Sequence, residues 1–345
     1  MASERENFGL TGPSFLTAVD WNNSNHRRSI AASLVQGVYV LECDRQQNRQ
    51  GPQALAPPWW EFFNFRVNQV LVDDHDLSYF GAIYEFNFPY PYPNYAGQRP
   101  PQYVIAFRGM VNKSKTRAED FKLNLNCMIN NLQESRRFHI GTESAHNVVS
   151  GASGPGNVWL AGHSIGSSIA LLVGRHMAKN MGVHIETYLF NPPFASPPIE
   201  RIKNEKVKLG LRFANSVLTA GLAMAASHSR KAEENDPFTA MLSSWIPYLF
   251  LNQEDIVCSE YIGYFEHREK MESIGAGKIG RLATKHSIGS IVSAARGKES
   301  EAVHLIPSAY LTINPSPSQN FKEAHGIHQW WKPDLEFKYK LYQYK

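Results

Sequence analysis

The sequence predicts an α/β fold, with a mostly parallel central sheet and helices on both faces. Three observations predict it. Short apolar runs of strand character alternate with stretches of helical spacing along most of the chain, and strands separated by helices return to pair in parallel. One such run, Val158-Trp159-Leu160-Ala161, bounded upstream by the turn-forming GASGPGN, leads through Gly162-His163-Ser164-Ile165-Gly166 into a helical stretch. That helix carries Gly166, Ala170 and Gly174 four apart, a narrow face that can lie close against a sheet.

The elements follow in order. Residues 1–25 are mixed and carry turn formers, whereas 26–43 space Ile30, Leu34, Val38 and Leu41 as one face of a helix. The Pro/Gly-rich 51–58 is a loop, and the aromatic cluster Trp59-Trp60-Glu61-Phe62-Phe63 belongs to a core or packing surface. Asp73-Asp74-His75-Asp76 is a solvated turn rather than a metal cluster, because it sits just before a strand. Residues 79–88 and 103–107 are strands of a hairpin, joined by a connection too rich in proline to be a central strand. Helices are expected at 117–132 and 142–150, then the strand at 158–161 and its helix. A strand at 184–190 ends at Asn191-Pro192-Pro193, and 196–244 is a helix-rich, cap-like insertion within a single domain spanning 1–345. Its most apolar run, 216–226, is a candidate lid over a pocket mouth, able when open to touch a lipid surface. Strands at 245–251 and 309–314, helices at 260–270 and 278–293, and an edge strand within 334–345 complete the chain.

Composition narrows the function classes. The chain has 345 residues, 43% hydrophobic and 19% charged, enough to bury a large core. The formal net charge of +4 comes from well-mixed charges with no basic stripe, which argues against nucleic acid as partner. Cys43, Cys127 and Cys258 are scattered and odd in number, which fits neither a disulfide framework nor a zinc site and suggests a reducing, cytoplasmic setting. No apolar run approaches the ~18 residues of a membrane span, and the first residues lack the apolar core of a secretory signal.

Strand, G-x-S-x-G and helix together make the context of a nucleophile elbow. A serine hydroxyl is a weak nucleophile that must be held exposed beside a base, and the sharp turn does the exposing. Ser164 is therefore the candidate nucleophile. In the α/β-hydrolase chain order the acid and then the histidine follow, each on a loop after a strand. Asp255 lies four residues past the strand ending at Leu251, with Glu254 as its near neighbour; Asp236 and Asp334 fit less well. A histidine beyond the last strand excludes His267, His286 and His304 and leaves His325 and His328. That pair, at i and i+3, has no third ligand to make a metal site. For an oxyanion, Ile165 offers the N–H after the serine, and Met110 offers one after the strand ending Phe107-Arg108-Gly109. Gly275 to Gly280 spells G-x-G-x-x-G, but it follows a charged helical stretch and fails as a dinucleotide site.

At WNNSNHRRSIAASLVQGVYVLE, GHSIGSS, DIVCSEYIGYFEHR and AHGIHQWW the chain resembles the plant α/β-hydrolases related to class 3 lipases, and more closely a subfamily labelled GDSL esterase/lipase, although it contains no G-D-S-L. The resemblance covers nearly the whole chain. It implies an α/β-hydrolase fold, with Ser164 as nucleophile, Asp255 as acid and His325 as base. Met110 departs from the Thr or Ser usual after Arg-Gly in that group, which leaves a backbone N–H alone at that point. The resemblance implies an ester hydrolase working through an acyl-enzyme on a small-molecule ester, with no cofactor. The rival expectations are a triad-bearing acyltransferase or elimination enzyme, and a non-catalytic receptor on the same scaffold.

Overall fold

The computed structural model describes residues 3–88, 98–111, 132–152, 154–194, 242–274 and 306–343. Its helices are α1 (Phe8–Thr11), α2 (Ser24–Gln46), α3 (Pro58–Glu61), α4 (Arg136–Gly151), α5 (Ile165–Met181), α6 (Glu260–Ser273) and α7 (Phe321–His325). Eight strands, β1 (Phe65–Val72), β2 (Tyr79–Phe86), β3 (Tyr103–Phe107), β4 (Val158–His163), β5 (Glu186–Phe190), β6 (Tyr248–Asn252), β7 (Ala309–Asn314) and β8 (Lys338–Tyr342), form one sheet. Strand order follows chain order. β3 to β7 are parallel, and the antiparallel β1–β2 hairpin and β8 close the two edges. This is an α/β-hydrolase-like sheet, mostly parallel and covered by helices.

Side-chain alternation along the strands divides the interior in two. Val158 and Leu160 of β4 join Ile105, Phe107 and Leu189 in a core with α5 and α6. Trp159 and Ala161 join Val104, Ala106 and Phe190 in a second core with α2, Trp59 and Trp330. Helix α2 can be buried along most of its length because Ile30, Leu34 and Val38 turn one face to the sheet and are fully enclosed. Their burial contributes roughly 6 kcal/mol before the entropy cost of ordering them. Asn23 starts α2 by accepting the Asn25 N–H at its side-chain oxygen.

Several expectations shift. β1 is a strand that the sequence pattern did not mark. The helix read at 142–150 begins earlier, at Arg136, because Ser135 caps it through Phe138 N–H. The strand read from 245 starts at Tyr248: Pro247 has no N–H for the ladder, and Trp245 instead packs against Gly174. The acidic turn after β1 is not wholly solvated, since Asp73 is buried and ion-paired with Arg137. The apolar run 216–226, most of the 196–244 insertion, Cys127, all but the last residue of the helix expected at 117–132, the helix expected at 278–293, and the Gly275–Gly280 motif lie outside the described residues. Among the described residues, no helix is long and apolar enough to cross a membrane.

Candidate active site

The carboxyl ends of four parallel strands deliver the candidate residues to one edge of the sheet. β4 ends in His163 and passes into Ser164, the N-cap of α5. The chain can turn this sharply because Ser164 takes φ 55° and ψ −128°, a conformation that costs an L-residue energy and that its surroundings must enforce. Its N–H donates to Phe190 O at 3.0 Å, tying the elbow to the end of β5. A Cβ on Gly162 would strike the Gly166 backbone, and one on Gly166 would strike the Phe107 and Arg108 carbonyls. Only glycine lets the elbow, its helix and the end of β3 meet this closely.

His325 Nε2 lies 3.0 Å from Ser164 Oγ, and His325 Nδ1 lies 2.8 Å from Asp255 Oδ2. All three are buried, Asp255 completely. His328, three residues on, lines the neighbouring cavity, and His325 is the histidine that reaches both Ser164 and Asp255. A carboxylate can only accept, so His325 Nδ1 carries the hydrogen and Nε2 turns its lone pair to the serine hydroxyl. Burial alone would raise the Asp255 carboxyl. The facing His325, with hydrogen bonds from Asn191 and the Val257 N–H, outweighs burial and holds it below its ordinary value. Glu254 turns away and accepts the Ser318 N–H.

The third strand end, β3, brings the Arg108-Gly109-Met110 turn against the nucleophile; a Cβ on Gly109 would lie 2.8 Å from Ser164 Cβ. Arg108 is buried, and its guanidinium donates to Tyr79 O and to Gly109 O, each at 2.7 Å. With the Gly109 carbonyl held by Arg108, the trans peptide turns the Met110 N–H to the opposite side. Ile165 is the first residue of α5, so its N–H has no acceptor within the helix. The Gly109–Met110 turn and the first residue of α5 thus both lie beside Ser164. A cavity of about 330 Å³ opens here, lined by Tyr39, Val40, Met110, His325, Ile327 and Trp331 among others.

Sequence reasoning missed the residues that brace this set. Asn191, completely buried at the end of β5, donates through Nδ2 to Asp255 Oδ2 at 2.7 Å and to Ala324 O at 3.2 Å, and its Oδ1 accepts Trp330 Nε1–H at 2.7 Å. Gln329 donates to Ala324 O and Gly326 O and accepts from Asn252 and Asn314, so it ties the His325 loop to the ends of β6 and β7. Cys258 places Sγ 3.2 Å from Asp255 Oδ2, and burial followed by that carboxylate pushes its thiol well up. The strand-ending Asn-Pro-Pro was the available signal for Asn191, and the polar residue inside AHGIHQWW was the signal for Gln329.

No family model matches the chain. It is 49% identical, over 356 aligned residues that cover 100% of both chains, to a GDSL esterase/lipase of Arabidopsis thaliana. The chain belongs to this GDSL esterase/lipase family. Among solved structures it is similar to a lipase from Rhizopus microsporus var. chinensis, at 13% identity, 70% of this chain, 69% of that chain and a TM-score of 0.31. At that score the fold rests on the sheet itself. Whatever the family's label, this esterase/lipase-family chain presents its serine in Gly162-His163-Ser164-Ile165-Gly166.

Proposed function

We propose that the protein is a serine hydrolase that cleaves carboxylic esters through an acyl-enzyme. The observation that carries this reading is the line of contacts from Ser164 Oγ through His325 to Asp255, 3.0 Å and then 2.8 Å. The name of the Arabidopsis relative points to the same class of reaction.

In this reading His325 Nε2 takes the Ser164 proton as Oγ attacks the ester carbonyl. The imidazolium that forms is stabilised by Asp255, whose charge is already held by Asn191, Cys258 and the Val257 N–H. The carbonyl oxygen becomes an oxyanion and meets the Ile165 and Met110 N–H groups. His325 then hands its proton to the leaving alkoxide, which departs as the alcohol. Water, deprotonated by His325, attacks the acyl-enzyme, and the acid leaves with Ser164 restored. No cofactor takes part in either half.

The cavity supports one substrate class. Tyr39, Val40, Met110, Ile327 and Trp331 offer an apolar wall beside His325, which suits an ester with an apolar acyl or alcohol part. The test is to treat purified protein with a fluorophosphonate and assay p-nitrophenyl esters of graded acyl length. Wild type should label and hydrolyse. Ser164→Ala should lose both, a fall of about 10⁴-fold or more in kcat, and keep its fold. A Ser164→Ala variant that labels fully would end the assignment. Labelling with transfer to an added alcohol but none to water would make the protein an acyltransferase instead.

A further inference from the structure

Two side chains outside the catalytic line join the loops on either side of Ser164. Tyr39 stands on α2, with its ring in the cavity wall. Its hydroxyl lies 2.8 Å from His163 Nδ1 and accepts the Gly109 N–H at 2.7 Å. The other nitrogen of the same ring, His163 Nε2, lies 2.8 Å from the backbone carbonyl oxygen of His325. The chemistry leaves one arrangement of hydrogens. A carbonyl can only accept, so Nε2 carries the ring hydrogen. In a neutral imidazole Nδ1 is then the acceptor, and the Tyr39 O–H donates to it. The lone pairs of the hydroxyl are left for Gly109 N–H. The hydrogen bonds therefore run in one direction, from Gly109 to Tyr39 to His163 to His325. The ring stays neutral: burial first, then the nearby His325, pull its pKa down to about 3. A protonated His163 would present Nδ1–H to Tyr39 and break the order.

The two ends of this chain matter most to the reaction. The Gly109 N–H held by Tyr39 belongs to the Arg108–Gly109 peptide, the unit just before the Gly109–Met110 peptide whose N–H is a candidate oxyanion donor, and the His325 backbone carries the base. We propose that Tyr39 and His163 are positioning residues that couple the oxyanion turn at Gly109–Met110 to the backbone of His325, so that donor and base keep a fixed separation around Ser164. This rests on the hydrolase reading above. Neither side chain reaches Ser164 Oγ. Their effect therefore belongs to the geometry of the transition state more than to substrate binding, and it falls on kcat rather than KM.

The experiment measures kcat and KM on a short p-nitrophenyl ester for wild type, Tyr39→Phe, His163→Gln and the double variant, alongside fluorophosphonate labelling and thermal melts. Tyr39→Phe keeps the ring in the cavity wall and removes only the hydroxyl. His163→Gln keeps a donor for the His325 carbonyl and loses the acceptor for Tyr39. Each single variant should lose roughly ten- to a hundredfold in kcat, less than removal of an oxyanion donor costs, with KM within about threefold. Because both substitutions cut the same link, the double variant should be little worse than Tyr39→Phe alone. A kcat within twofold of wild type in Tyr39→Phe overturns the proposal, as does a double variant whose loss is the product of the two single losses. If Tyr39→Phe melts below the assay temperature, His163→Gln, which leaves α2 intact, decides by the same kcat criterion. A wild type that neither labels nor hydrolyses any ester removes the hydrolase reading itself, a result distinct from all of these.

Discussion

Asp255 accepts four hydrogen bonds while completely buried, and the Asn191 amide that donates one of them also donates to the backbone just before His325. Through Ala324 O the same amide fixes the residue before His325, and through Trp330 its orientation is fixed in turn. Asn191 holds φ 47°, in the left-handed region where asparagine is among the better tolerated L-residues. Asn191→Ala should therefore leave Asp255 short of a donor and free the loop that carries His325. The expected loss in kcat is at least about tenfold, short of the ~10⁴-fold that follows when the acid no longer orients the histidine. Steady-state kinetics against the melting temperature of the same variant checks it, and an unchanged kcat in a folded variant would make Asn191 merely structural. The buried histidines give a second expectation. His163 and His328 have ordinary values of 6.5 but are pulled to about 3 and about 4, in each case chiefly by burial. Between those values and 6.5 the unfolded chain binds protons that the folded one does not, so stability is present above about pH 6.5 and is lost as pH falls. From pH 6.5 to 5 each histidine should cost roughly 1.5 kcal/mol. Thermal melts across that range should show the drop, and His163→Gln should flatten it; equal slopes for the two proteins would contradict the assignment.

The elements of the site were legible where local chemistry fixes them and illegible where distant contacts do. The elbow could be read because its requirements are all local: an apolar strand, small residues at Gly162 and Gly166, and a helix with Ala170 and Gly174 on one face. The structure shows what the small residues meet: Gly162 the Gly166 backbone, Gly166 the carbonyls at the end of β3, and Gly174 the Trp245 ring. Ile165 was proposed from that motif and Met110 from the strand end Phe107-Arg108-Gly109, and β3 ends and α5 begins where those readings need them. Asp255 and His325 could be proposed on the loops after β6 and β7 from strand order, but resemblance was needed to choose His325 over His328, since residues three apart in a short turn carry no periodic signal. β1 escaped notice because it is an edge strand with two register shifts, and its exposed Arg66, Asn68 and Gln69 blur the alternation that marks a strand. The brace residues Tyr39, Asn191 and Gln329 escaped for another reason. Each makes a hydrogen bond to a partner 15 to 139 positions away, and such a pairing leaves no periodic signal in the sequence.

At the scale of the molecule, the sheet separates two cores and the site sits where both reach its carboxyl edge. Ser164 and Ile165 come from the α5 side, while Tyr39 comes from α2 on the other face. Part of the cavity wall comes from residues 3–11. Ser3, Arg5, Glu6 and Thr11 line it, although residues 1–25 showed no periodicity and suggested no role. What places them is a set of long-range ties. Trp59 Nε1–H donates to Glu6 O, Trp331 Nε1–H to Thr11 O, and Gln36 Nε2–H to Arg5 O, while Arg49 pairs with the Glu6 carboxylate at 2.9 Å. Phe8 is the apolar anchor among them. It is buried, with its ring centroid 5.2 Å from that of Trp59 and 5.0 Å from that of Phe62. Phe8→Ala should remove that anchor and cost about 3 kcal/mol, at the low end for a phenylalanine because the site lies near the surface. The polar ties would then hold the segment alone, and the cavity wall would loosen. The ring contacts of Phe8 run to Trp59, Phe62 and Phe63 and not to Ser164, His325 or Asp255, so kcat on a short ester should stay near wild type while KM for a long-chain ester rises several-fold. Comparing acetate and long-chain p-nitrophenyl esters on a variant shown by its melt to be folded separates the outcomes. A fall in kcat with KM unchanged would mean that the first residues support the catalytic geometry itself rather than the wall that receives the substrate.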